Sequence, residues 1–412
     1  MKFETISVIG LGYIGLPTAA VIASNKIRVK GVDVNQHAVD TINQGRIHIV
    51  EPGLEELVNT AVKDGYLTAH TSPEKADAFL MAVPTPFKGE NYEPDLKYIE
   101  AASKALAPQL EKGNLVVLES TSPVGATEKM AAWLQEARPD LTFPQTTREG
   151  ECADILIAHC PERVLPGHVI RELVENDRVI GGLDKASTEA ATAVYKSFVH
   201  KGNCIATTAR TAEMAKLTEN ASRDVQIAFA NELSVICEKQ GIDVWELIEL
   251  ANLHPRVNIL QPGAGVGGHC IAVDPWFIVN QNPEEAKLIH QARKTNDGKP
   301  LWVISKIEDA VKDVEKPTIA CLGLAFKPDI DDLRESPALD ITKLLAIKGY
   351  NILAVEPNIE VLPGEFSALE NVKLVDLETA SAQADVVAVL VKHREFIDGT
   401  ITHRNTLDFV NC

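Results

Sequence analysis

This sequence lacks an excess of basic residues, paired cysteines and long apolar runs. Its 412 residues carry 40 Lys and Arg against 58 Asp and Glu, which gives a formal net charge of −18. A surface of this charge repels polyphosphate, so we expect no nucleic-acid partner. The 7 cysteines form no CxxC pair and no Cys/His cluster with zinc-ligand spacing. We therefore expect no metal site and a reducing, cytoplasmic environment.

No uninterrupted apolar run approaches the roughly 20 residues that a membrane-spanning helix needs. We therefore expect no membrane association, and because residues 1–10 lead directly into a strand we expect no signal peptide. With 45% apolar and 24% charged residues, the composition is that of an ordinary globular protein. The length exceeds what one hydrophobic core usually supports and predicts two or three domains.

Short apolar runs alternate with helical patterns through the first half of the chain. Each run is apolar on both faces, which is typical of parallel strands covered by two layers of helices. The predicted strands are 6–9, 28–32, 78–83, 115–118 and 155–158. Helices are predicted between them, for example at 95–107 and 127–137. The pattern predicts an α/β fold that begins with a doubly wound, Rossmann-type domain over residues 1–206.

The second half contains a helical region followed by a return of the α/β alternation. A helix is predicted from residue 211 to about 240, then a glycine-rich loop at 261–270 and a helix at 283–292. Further predicted elements are strands at 318–324, 351–355 and 386–391, a helix at 337–347, and a last strand near 409–412. We expect a central helical region over 207–300, which bridges the two α/β units and forms a subunit interface, and a smaller Rossmann-like domain over 301–412.

The first predicted strand runs directly into the glycine pattern of a dinucleotide-binding loop. Gly10 permits the tight turn, Gly12 lets the backbone approach a pyrophosphate, and Gly15 lets the helix pack closely on the strand. Asp33 ends the second strand, where a carboxylate accepts from the adenosine ribose and repels the extra phosphate of NADP. The pattern predicts NAD as the cofactor, against the alternative of a glycine-rich turn in an unrelated α/β protein.

Two further loops follow predicted strands at the edge of the sheet where α/β proteins bind ligands. They contain Thr85 and Thr121. Each threonine is a candidate to contact cofactor or substrate. The alternative is a threonine that forms a turn or caps a helix, which is the commoner role.

Cys270 ends the most unusual stretch of the sequence, with four glycines in the six residues 263–268. Such a backbone bends sharply or lies against a ligand, so Cys270 is a candidate nucleophile; the alternative is an inert buried thiol. The predicted helix from residue 211 also carries a polar stripe, formed by Glu213, Lys216, Asn220 and Arg223. This stripe either faces solvent, with Glu213 and Lys216 as a surface pair, or points into a pocket.

Several long motifs together resemble the UDP-glucose/GDP-mannose dehydrogenase family. They are GLGYIGLP at 10–17, AVPTP at 82–86, ESTSPVG at 119–125, CPERVLPG at 160–167, AEMAKLTEN at 212–220, HPRVNILQPGAGVGGHCIAVDP at 254–275 and GLAFKPDIDDLRESPA at 323–338. The motifs are spread over all three predicted regions. The GGHC form, with His269 where the UDP-glucose branch usually has serine, resembles the N-acetylhexosamine branch of the family.

The resemblance implies a four-electron oxidation of UDP-N-acetyl-D-mannosamine at C6, with two NAD reduced per turnover. It implies that Cys270 adds to the intermediate aldehyde, giving a thiohemiacetal and then a thioester that water hydrolyses. It also implies that the first domain binds NAD, that the last binds the UDP portion, and that the central helix pairs two subunits as a homodimer. The product is expected to enter a bacterial surface polysaccharide similar to enterobacterial common antigen.

The resemblance also assigns roles to individual residues. Lys216 is the acid/base and oxyanion-stabilising residue, with Asn220 beside it, and Asp274 orients water or a base. Glu162 and Thr121 serve thioester hydrolysis. The implied cofactor contacts are Gly10, Gly12, Tyr13, Ile14, Gly15, Asp33, Thr85, Thr127 and Arg334. The implied substrate contacts are Arg163, Val164, Lys216, Asn220, Arg223, His254, Arg256, Gly267, Phe326 and Lys327.

Two departures from the UDP-glucose branch bear on these roles. Pro166 stands where that branch carries a second glutamate, so the identity of the hydrolytic base stays open. Arg163 and Val164 replace a more apolar pair, which suggests altered sugar contacts.

The sequence leaves three alternative functions open. The first is the same chemistry on UDP-glucose or UDP-N-acetylglucosamine. The second is a single-step alcohol or hydroxyacid dehydrogenase that uses Lys216 and Asn220 without Cys270. The third is an NAD-sensing or scaffolding protein with the same fold, since fold alone does not determine function.

Overall fold

The computed structural model describes residues 3–89, 92–148, 151–165, 167–268, 270–397, 401 and 403–412. The chain forms two compact units, Met1–Thr218 and Glu219–Cys412. Across the described part of the chain, no helix has both the length and the apolar character required to cross a bilayer.

In the described residues of the first unit there are ten strands and seven α-helices, and an eighth helix continues from it into the second unit. The strands are β1 (Thr5–Ile9), β2 (Arg28–Val32), β3 (Leu67–His70), β4 (Ala78–Met81), β5 (Phe87–Lys88), β6 (Glu93–Pro94), β7 (Leu115–Leu118), β8 (Leu156–His159), β9 (Arg178–Gly182) and β10 (Cys204–Thr208). The helices are α1 (Gly15–Ser24), α2 (Gln36–Asn43), α3 (Leu54–Lys63), α4 (Lys97–Leu106), α5 (Ala126–Ala137), α6 (Val169–Glu175), α7 (Lys185–Tyr195) and α8 (Ala209–Gln240).

Eight of these strands form one sheet in the order β10-β9-β8-β7-β4-β1-β2-β3. All neighbouring pairs are parallel except β8 and β9, which pair antiparallel. The central strands β4, β7 and β8 are buried at every position. Alternate residues of β7 belong to two separate cores, with Val117 in one and Val116 in the other, because side chains alternate across a sheet. The sheet is therefore covered on both faces.

The second unit has a smaller parallel sheet. Its strands are β11 (Thr318–Leu322), β12 (Asn351–Val355), β13 (Val372–Leu374), β14 (Val386–Val389) and β15 (Thr406–Asp408), in the order β13-β12-β11-β14-β15. Its helices after α8 are α9 (Val244–Asn252), α10 (Asp274–Gln281), α11 (Lys287–Val311), α12 (Pro337–Ile347) and α13 (Leu377–Gln383). Single turns of 3-10 helix lie at Ala107–Gln109, Pro144–Thr146, Gly364–Phe366 and Arg394–Phe396.

The two units use the same local arrangement at the ends of their first two strands. Gly10 follows β1 with φ of 90° and donates its N–H to Val32 O at 2.8 Å. Gly323 follows β11 with φ of 89° and donates its N–H to Val355 O at 2.8 Å. Glycine suits both positions because a positive φ strains residues that carry a Cβ atom. The second unit thus repeats the strand–turn–strand geometry of a Rossmann fold.

The predicted α/β fold class, with a second Rossmann-like sheet, is confirmed. The predicted helix at 283–292 is wrong in its bounds, because α11 runs over Lys287–Val311 and passes through Pro300. The strands β3, β5, β6, β9, β10, β13 and β15 were not predicted from the sequence, although β15 lies just before the strand expected near 409–412. The boundaries predicted at residues 206 and 300 stay predictions.

Candidate active site

The glycine loop of the first unit has the geometry that a dinucleotide requires. A Cβ atom on Gly15 would lie 1.7 Å from Gly10 O, so only glycine fits there. A Cβ atom on Gly12 would meet no described atom within 4 Å, which leaves open space beside the start of α1. Within the described segment 3–89, Ile14 caps α1 without a side-chain hydrogen bond. A helix N-terminus beside open space fits a phosphate group.

Asp33 and its neighbours hold this loop in place. Asp33 follows β2, and its Oδ2 accepts from the Leu11 N–H at 2.9 Å. Its Oδ1 accepts from the Asn35 N–H at 2.9 Å. The carboxylate therefore stands directly against the glycine loop, as expected of the residue that contacts the adenosine ribose. Tyr13, the other predicted contact in this loop, is exposed.

Thr85 and Thr121 meet at the carboxyl edge of the same sheet. They follow the neighbouring strands β4 and β7, and the Thr85 hydroxyl donates to the Thr121 carbonyl. Ser120 Oγ donates to Val83 O at 2.5 Å, which ties the two loops together again. Both threonines are half-buried, so each combines a structural contact with partial access to solvent.

Thr127 has a structural partner that a reading of the sequence did not anticipate. Its N–H and its hydroxyl donate to Glu213 Oε1 at 2.8 and 2.6 Å, and the Gly125 N–H donates to Glu213 Oε2 at 2.7 Å. Thr127 and Glu213 are both buried. The alternative in which Glu213 forms a surface pair with Lys216 is therefore wrong, because Glu213 is buried and caps α5. These bonds hold Thr127 in place, and its contact with the cofactor stays a prediction.

Glu162 lies after β8 in a buried ion pair. Arg178 Nη1 donates to Glu162 Oε2 at 2.6 Å, and the Arg163 N–H donates to Glu162 Oε1 at 2.6 Å. Arg163 Nη1 donates to Asp177 O at 3.2 Å, and Val164 packs against the first unit's core. Pro166 lies outside the described residues.

In the second unit, Cys270 lies four residues before α10, in the turn that leads into the helix. Its carbonyl accepts from the Asp274 N–H at 2.8 Å, and the residue is exposed. Asp274 is buried, and its Oδ2 accepts from Asn220 Nδ2 at 2.5 Å. The structure thus brings together three of the predicted catalytic residues. Lys216 lies in the first unit, four positions before Asn220 along α8.

The glycine loop before Cys270 packs closely against residues that follow β11. A Cβ atom on Gly267 would lie 2.3 Å from Glu335 O and 2.9 Å from the Phe326 Cβ. A Cβ atom on Gly268 would lie 2.9 Å from the Phe326 ring. Two predicted substrate contacts, Gly267 and Phe326, are therefore neighbours. His269 lies outside the described residues.

The remaining predicted cations of the second unit differ in their surroundings. Arg223, His254 and Arg256 are exposed, and the Arg256 N–H donates to His254 Nδ1 at 3.3 Å. Lys327 is half-buried. Arg334 forms a two-point ion pair with Asp332, at 2.8 and 2.6 Å.

A buried hydrogen-bond chain that supports the glycine-rich loop before Cys270 was not predicted from the sequence. The Gly263 N–H donates to Asn231 Oδ1 at 3.0 Å, and Asn231 Nδ2 donates to Asn296 Oδ1 at 2.9 Å. Asn296 Nδ2 continues to Asp224 Oδ1 at 2.8 Å, and Arg293 Nη1 pairs with the same carboxylate at 2.5 Å. No local pattern marked this chain of bonds, because Asp224, Arg293 and Asn296 stand among other polar residues of α8 and α11.

Comparison with known proteins places all three regions in one family. Models of the UDP-glucose/GDP-mannose dehydrogenase family match the chain over residues 4–199 (NAD binding domain), 210–298 (central domain) and 320–412 (UDP binding domain). The first match confirms the predicted NAD cofactor and the dehydrogenase class.

Individual relatives match along nearly the whole chain. A UDP-N-acetyl-D-mannosamine dehydrogenase of Campylobacter jejuni is 66% identical over 398 residues, which is 96% of this chain and 97% of the relative. An NDP-N-acetyl-D-galactosaminuronic acid dehydrogenase of Ralstonia nicotianae is 62% identical over 397 residues, 96% of this chain and 92% of the relative. The solved structure of a UDP-D-ManNAc dehydrogenase from Pyrococcus horikoshii is 37% identical with a TM-score of 0.87, covering 99% of this chain and 95% of that one.

Proposed function

We propose, because the chain belongs to the UDP-glucose/GDP-mannose dehydrogenase family, that it oxidises UDP-N-acetyl-D-mannosamine at C6 to the mannosaminuronate. The observation that carries this choice of substrate is the high identity, along nearly the full chain, to a relative with that activity in its name. NAD, when bound, accepts one hydride from C6 in each of two oxidation steps. The net reaction is alcohol, two NAD⁺ and water giving carboxylate, two NADH and three protons.

The two-step oxidation explains the need for a thiol. An aldehyde has no further C–H bond adjacent to an alkoxide until a nucleophile adds to its carbonyl carbon. The Cys270 sulfur adds to the carbonyl carbon and forms a C–S bond, which gives a thiohemiacetal. Oxidation of the thiohemiacetal gives a thioester. Water then attacks the acyl carbon, the C–S bond breaks, and the thiolate of Cys270 is regenerated.

The local structure around Cys270 supports this role. The residue is exposed, and its carbonyl accepts the Asp274 N–H at the first turn of α10. The N-terminal end of a helix carries partial positive charge, which favours the thiolate. Asn220 is held by the buried Asp274 carboxylate at 2.5 Å, so its side-chain amide has a fixed orientation. A fixed amide beside a developing oxyanion avoids reorganisation during the reaction.

Other residues serve proton transfer and hydrolysis in this proposal. Lys216 accepts the proton of the C6 hydroxyl and stabilises the oxyanion. Thr121 positions the hydrolytic water, and the Glu162 carboxylate is the acidic group of the hydrolytic step. Glu162 forms a buried ion pair with Arg178, which holds its side chain in one position.

Ligand binding follows the same division of the chain. Gly10 and Gly15 permit the turn and the close packing of the loop, Gly12 lets its backbone approach the pyrophosphate of NAD at the start of α1, and Asp33 accepts from the ribose. The proposed contacts of the UDP-sugar phosphates and sugar are Arg163, Arg223, His254, Arg256, Gly267, Phe326 and Lys327. Arginine suits this purpose because its planar donors match phosphate oxygens.

We further propose that the protein is a cytoplasmic homodimer whose product enters a bacterial surface polysaccharide similar to enterobacterial common antigen. Four large apolar side chains on α8, on α9 and just after α9 support a subunit contact in the second unit. They are Phe229, Ile236, Leu250 and Leu253, exposed by 52%, 42%, 59% and 79%. Phe229 and Ile236 stand seven positions apart on α8 and therefore share one face of that helix, and an exposed apolar face is typical of an interaction surface.

The stoichiometry of NADH tests the mechanism. The wild type is expected to form two NADH for each UDP-N-acetyl-D-mannosamine consumed. Cys270→Ser is expected to lose the second oxidation and steady turnover, whereas Cys152→Ser, which alters another exposed cysteine, is expected to match the wild type. A yield of one NADH in the wild type, or full turnover by Cys270→Ser, would contradict the proposal and favour a single-step dehydrogenase.

A second candidate substrate is supported by the relative from Ralstonia nicotianae. Its name indicates an N-acetylgalactosamine configuration, which differs from the first candidate at the sugar ring and leaves the C6 chemistry unchanged. Comparing kcat/KM for UDP-N-acetylmannosamine, UDP-N-acetylgalactosamine, UDP-N-acetylglucosamine and UDP-glucose decides between them. The first substrate is expected to be the fastest.

A further inference from the structure

A cluster of polar side chains is buried beneath the loops that carry Thr121 and Glu162. Its members are at most 7% exposed: Glu119, Cys160, Glu162, Arg178 and Tyr195. They come from the ends of β7 and β8, the start of β9 and the end of α7. We call this set the Glu119 cluster. Of its members, only Glu162 has a part in the proposed reaction.

The contacts in the Glu119 cluster form a continuous path. Tyr195 Oη donates to Glu119 Oε1 at 2.6 Å. The Arg178 guanidinium lies 5.7 Å from the centroid of the Tyr195 ring, and Arg178 Nη1 donates to Glu162 Oε2 at 2.6 Å. Because Glu119 stands two residues before Thr121, the path connects the two loops that serve hydrolysis.

Two polar atoms of the Glu119 cluster are buried and have no hydrogen-bond partner among the described residues, namely Glu119 Oε2 and Arg178 Nε. An ionised carboxylate with an unpaired oxygen is costly in such a place. Burial raises the pKa of Glu119 to about 7; the Tyr195 hydrogen bond opposes this rise, the Glu162 charge adds to it, and the Arg178 charge also opposes it. Glu119 is therefore largely protonated below neutral pH and ionised above it.

We propose that Arg178 and Tyr195 are positioning residues that hold the Glu162 carboxylate for the hydrolytic half of the reaction, and that the charge of Glu119 weakens this hold. This inference rests on the proposed function, since it assumes that Glu162 serves thioester hydrolysis. When Glu119 is protonated and neutral, the Arg178 guanidinium interacts with the Glu162 carboxylate without competition from a second negative charge. An ionised Glu119 competes for the same cation and loosens the hold on Glu162.

Four groups in or directly beside the cluster keep one protonation state near neutral pH. Burial raises the pKa values of the Cys160 thiol and the Tyr195 phenol well above this range. The Arg178 guanidinium keeps its charge because its pKa is raised further by the Glu162 charge, against the effect of burial. His159, the last residue of β8, stays neutral because burial lowers its pKa to about 3.

The test measures hydride transfer and thioester hydrolysis separately. NADH formation is followed by stopped flow with UDP-N-acetyl-D-mannosamine, and the Cys270 thioester is quantified by acid quench and mass spectrometry between pH 5.5 and 9. Glu119→Gln keeps the shape and cannot ionise. The ratio of hydrolysis rate constants, wild type to Glu119→Gln, is expected to be near one below pH 6 and to fall through a midpoint near 7.

Two further variants separate positioning from a merely structural role. Tyr195→Phe removes the hydrogen bond that lowers the pKa of Glu119, so the midpoint is expected to move to higher pH. Arg178→Lys loses the planar fork and is expected to slow hydrolysis by about tenfold, the factor for roughly 1.4 kcal/mol, with NADH formation unchanged. Tyr66→Phe, which lies outside the cluster, is the control and is expected to change neither.

A ratio that stays constant over the whole pH range, or equal losses in both steps, would overturn the positioning role. If Arg178→Lys does not fold, the two isosteric variants still decide, because they change one atom each. Absence of any Cys270 thioester in the wild type overturns the proposed function itself, and the inference with it. The two failures are therefore distinguishable.

Discussion

The Glu213 carboxylate accepts from Thr127 twice, through the main-chain N–H at 2.8 Å and through the hydroxyl at 2.6 Å. A third bond, from the Gly125 N–H at 2.7 Å, completes the cap of α5. The helix that carries Lys216 is therefore anchored, one turn earlier, to the loop that carries Thr121. In the sequence Glu213 could be one partner of a surface charge pair. In the structure it is buried and connects α8 to the start of α5.

The first prediction concerns this cap. Glu213→Ala leaves two N–H groups and one hydroxyl of the α5 terminus without their acceptor, so we expect a loss of about 2–4 kcal/mol in the free energy of unfolding. The control is Glu128→Ala in the first turn of α5. The Glu128 carboxylate pairs with the exposed Arg210, so its removal is expected to cost less than about 1 kcal/mol. Denaturant titration of both variants measures the difference. Equal losses in the free energy of unfolding of the two variants would show that the buried cap stabilises the fold no more than the exposed ion pair.

The second prediction uses two glycines of the nucleotide loop as a matched pair. A Cβ atom on Gly15 would clash with Gly10 O at 1.7 Å, so Gly15→Ala is expected to destabilise the fold by more than about 3 kcal/mol. A Cβ atom on Gly12 meets open space, so Gly12→Ala is expected to fold normally and to weaken NADH binding about tenfold or more. Thermal unfolding and fluorescence titration with NADH distinguish the two effects. Tight NADH binding by a stable Gly12→Ala would argue against the proposed pyrophosphate position.

The third prediction concerns cofactor choice. Asp33→Asn keeps an acceptor for the Leu11 N–H and removes the negative charge that disfavours NADP. The ratio of kcat/KM for NADP to that for NAD is expected to rise about tenfold, which corresponds to roughly 1.4 kcal/mol. Asp40→Asn makes the same charge change on the exposed face of α2 and is expected to leave the ratio unchanged. An unchanged ratio in Asp33→Asn would remove Asp33 from the ribose site.

Much of the fold could be predicted because its central strands are buried on both faces. Strands such as β4 and β7 are continuous apolar runs, and helices separate them, so the sequence alone predicts their parallel arrangement. The edge strands are different. β10 is mostly exposed and β13 has three residues, so neither carries enough apolar residues to be recognised without its neighbour in the sheet.

Helix α11 shows where local rules fail. Gly298 and Pro300 would normally end a helix, yet α11 continues past both to Val311. Buried residues on either side of Pro300, such as Asn296 and Val303, are held by packing, which overrides local propensity. A sequence pattern reports propensity and cannot report this tertiary contribution.

The candidate site could also be predicted only in part. Gly10, Asp33 and Cys270 could be proposed because turns, strand ends and glycine-rich loops have sequence patterns that physical chemistry explains. The pairing of Glu162 with Arg178 could not, since the two residues are 16 positions apart and meet only when β8 and β9 pair. Buried polar contacts of this kind depend on the folded backbone and have no local signature.

The last prediction concerns Glu356, which occupies in the second unit the position that Asp33 has in the first. Glu356 follows β12, is 4% exposed, and its Oε2 accepts from the Leu324 N–H at 2.8 Å and lies 3.0 Å from His393 Nε2. Burial would raise the pKa of this carboxyl, but the hydrogen bonds from His393 and the Leu324 backbone outweigh it and lower the pKa to about 2.

A carboxyl whose folded pKa is depressed stabilises the fold above its unfolded pKa, and this contribution is lost as pH falls through the folded value. For Glu356 the window extends from 4.5 down to about 2, and the contribution is about 3 kcal/mol. Wild type is therefore expected to lose stability between pH 5 and 2.5 more steeply than Glu356→Gln, while the exposed Glu370→Gln follows the wild type. Thermal unfolding of all three across this range measures the slopes, and parallel curves for wild type and Glu356→Gln would show that the hydrogen bonds do not hold the carboxylate ionised.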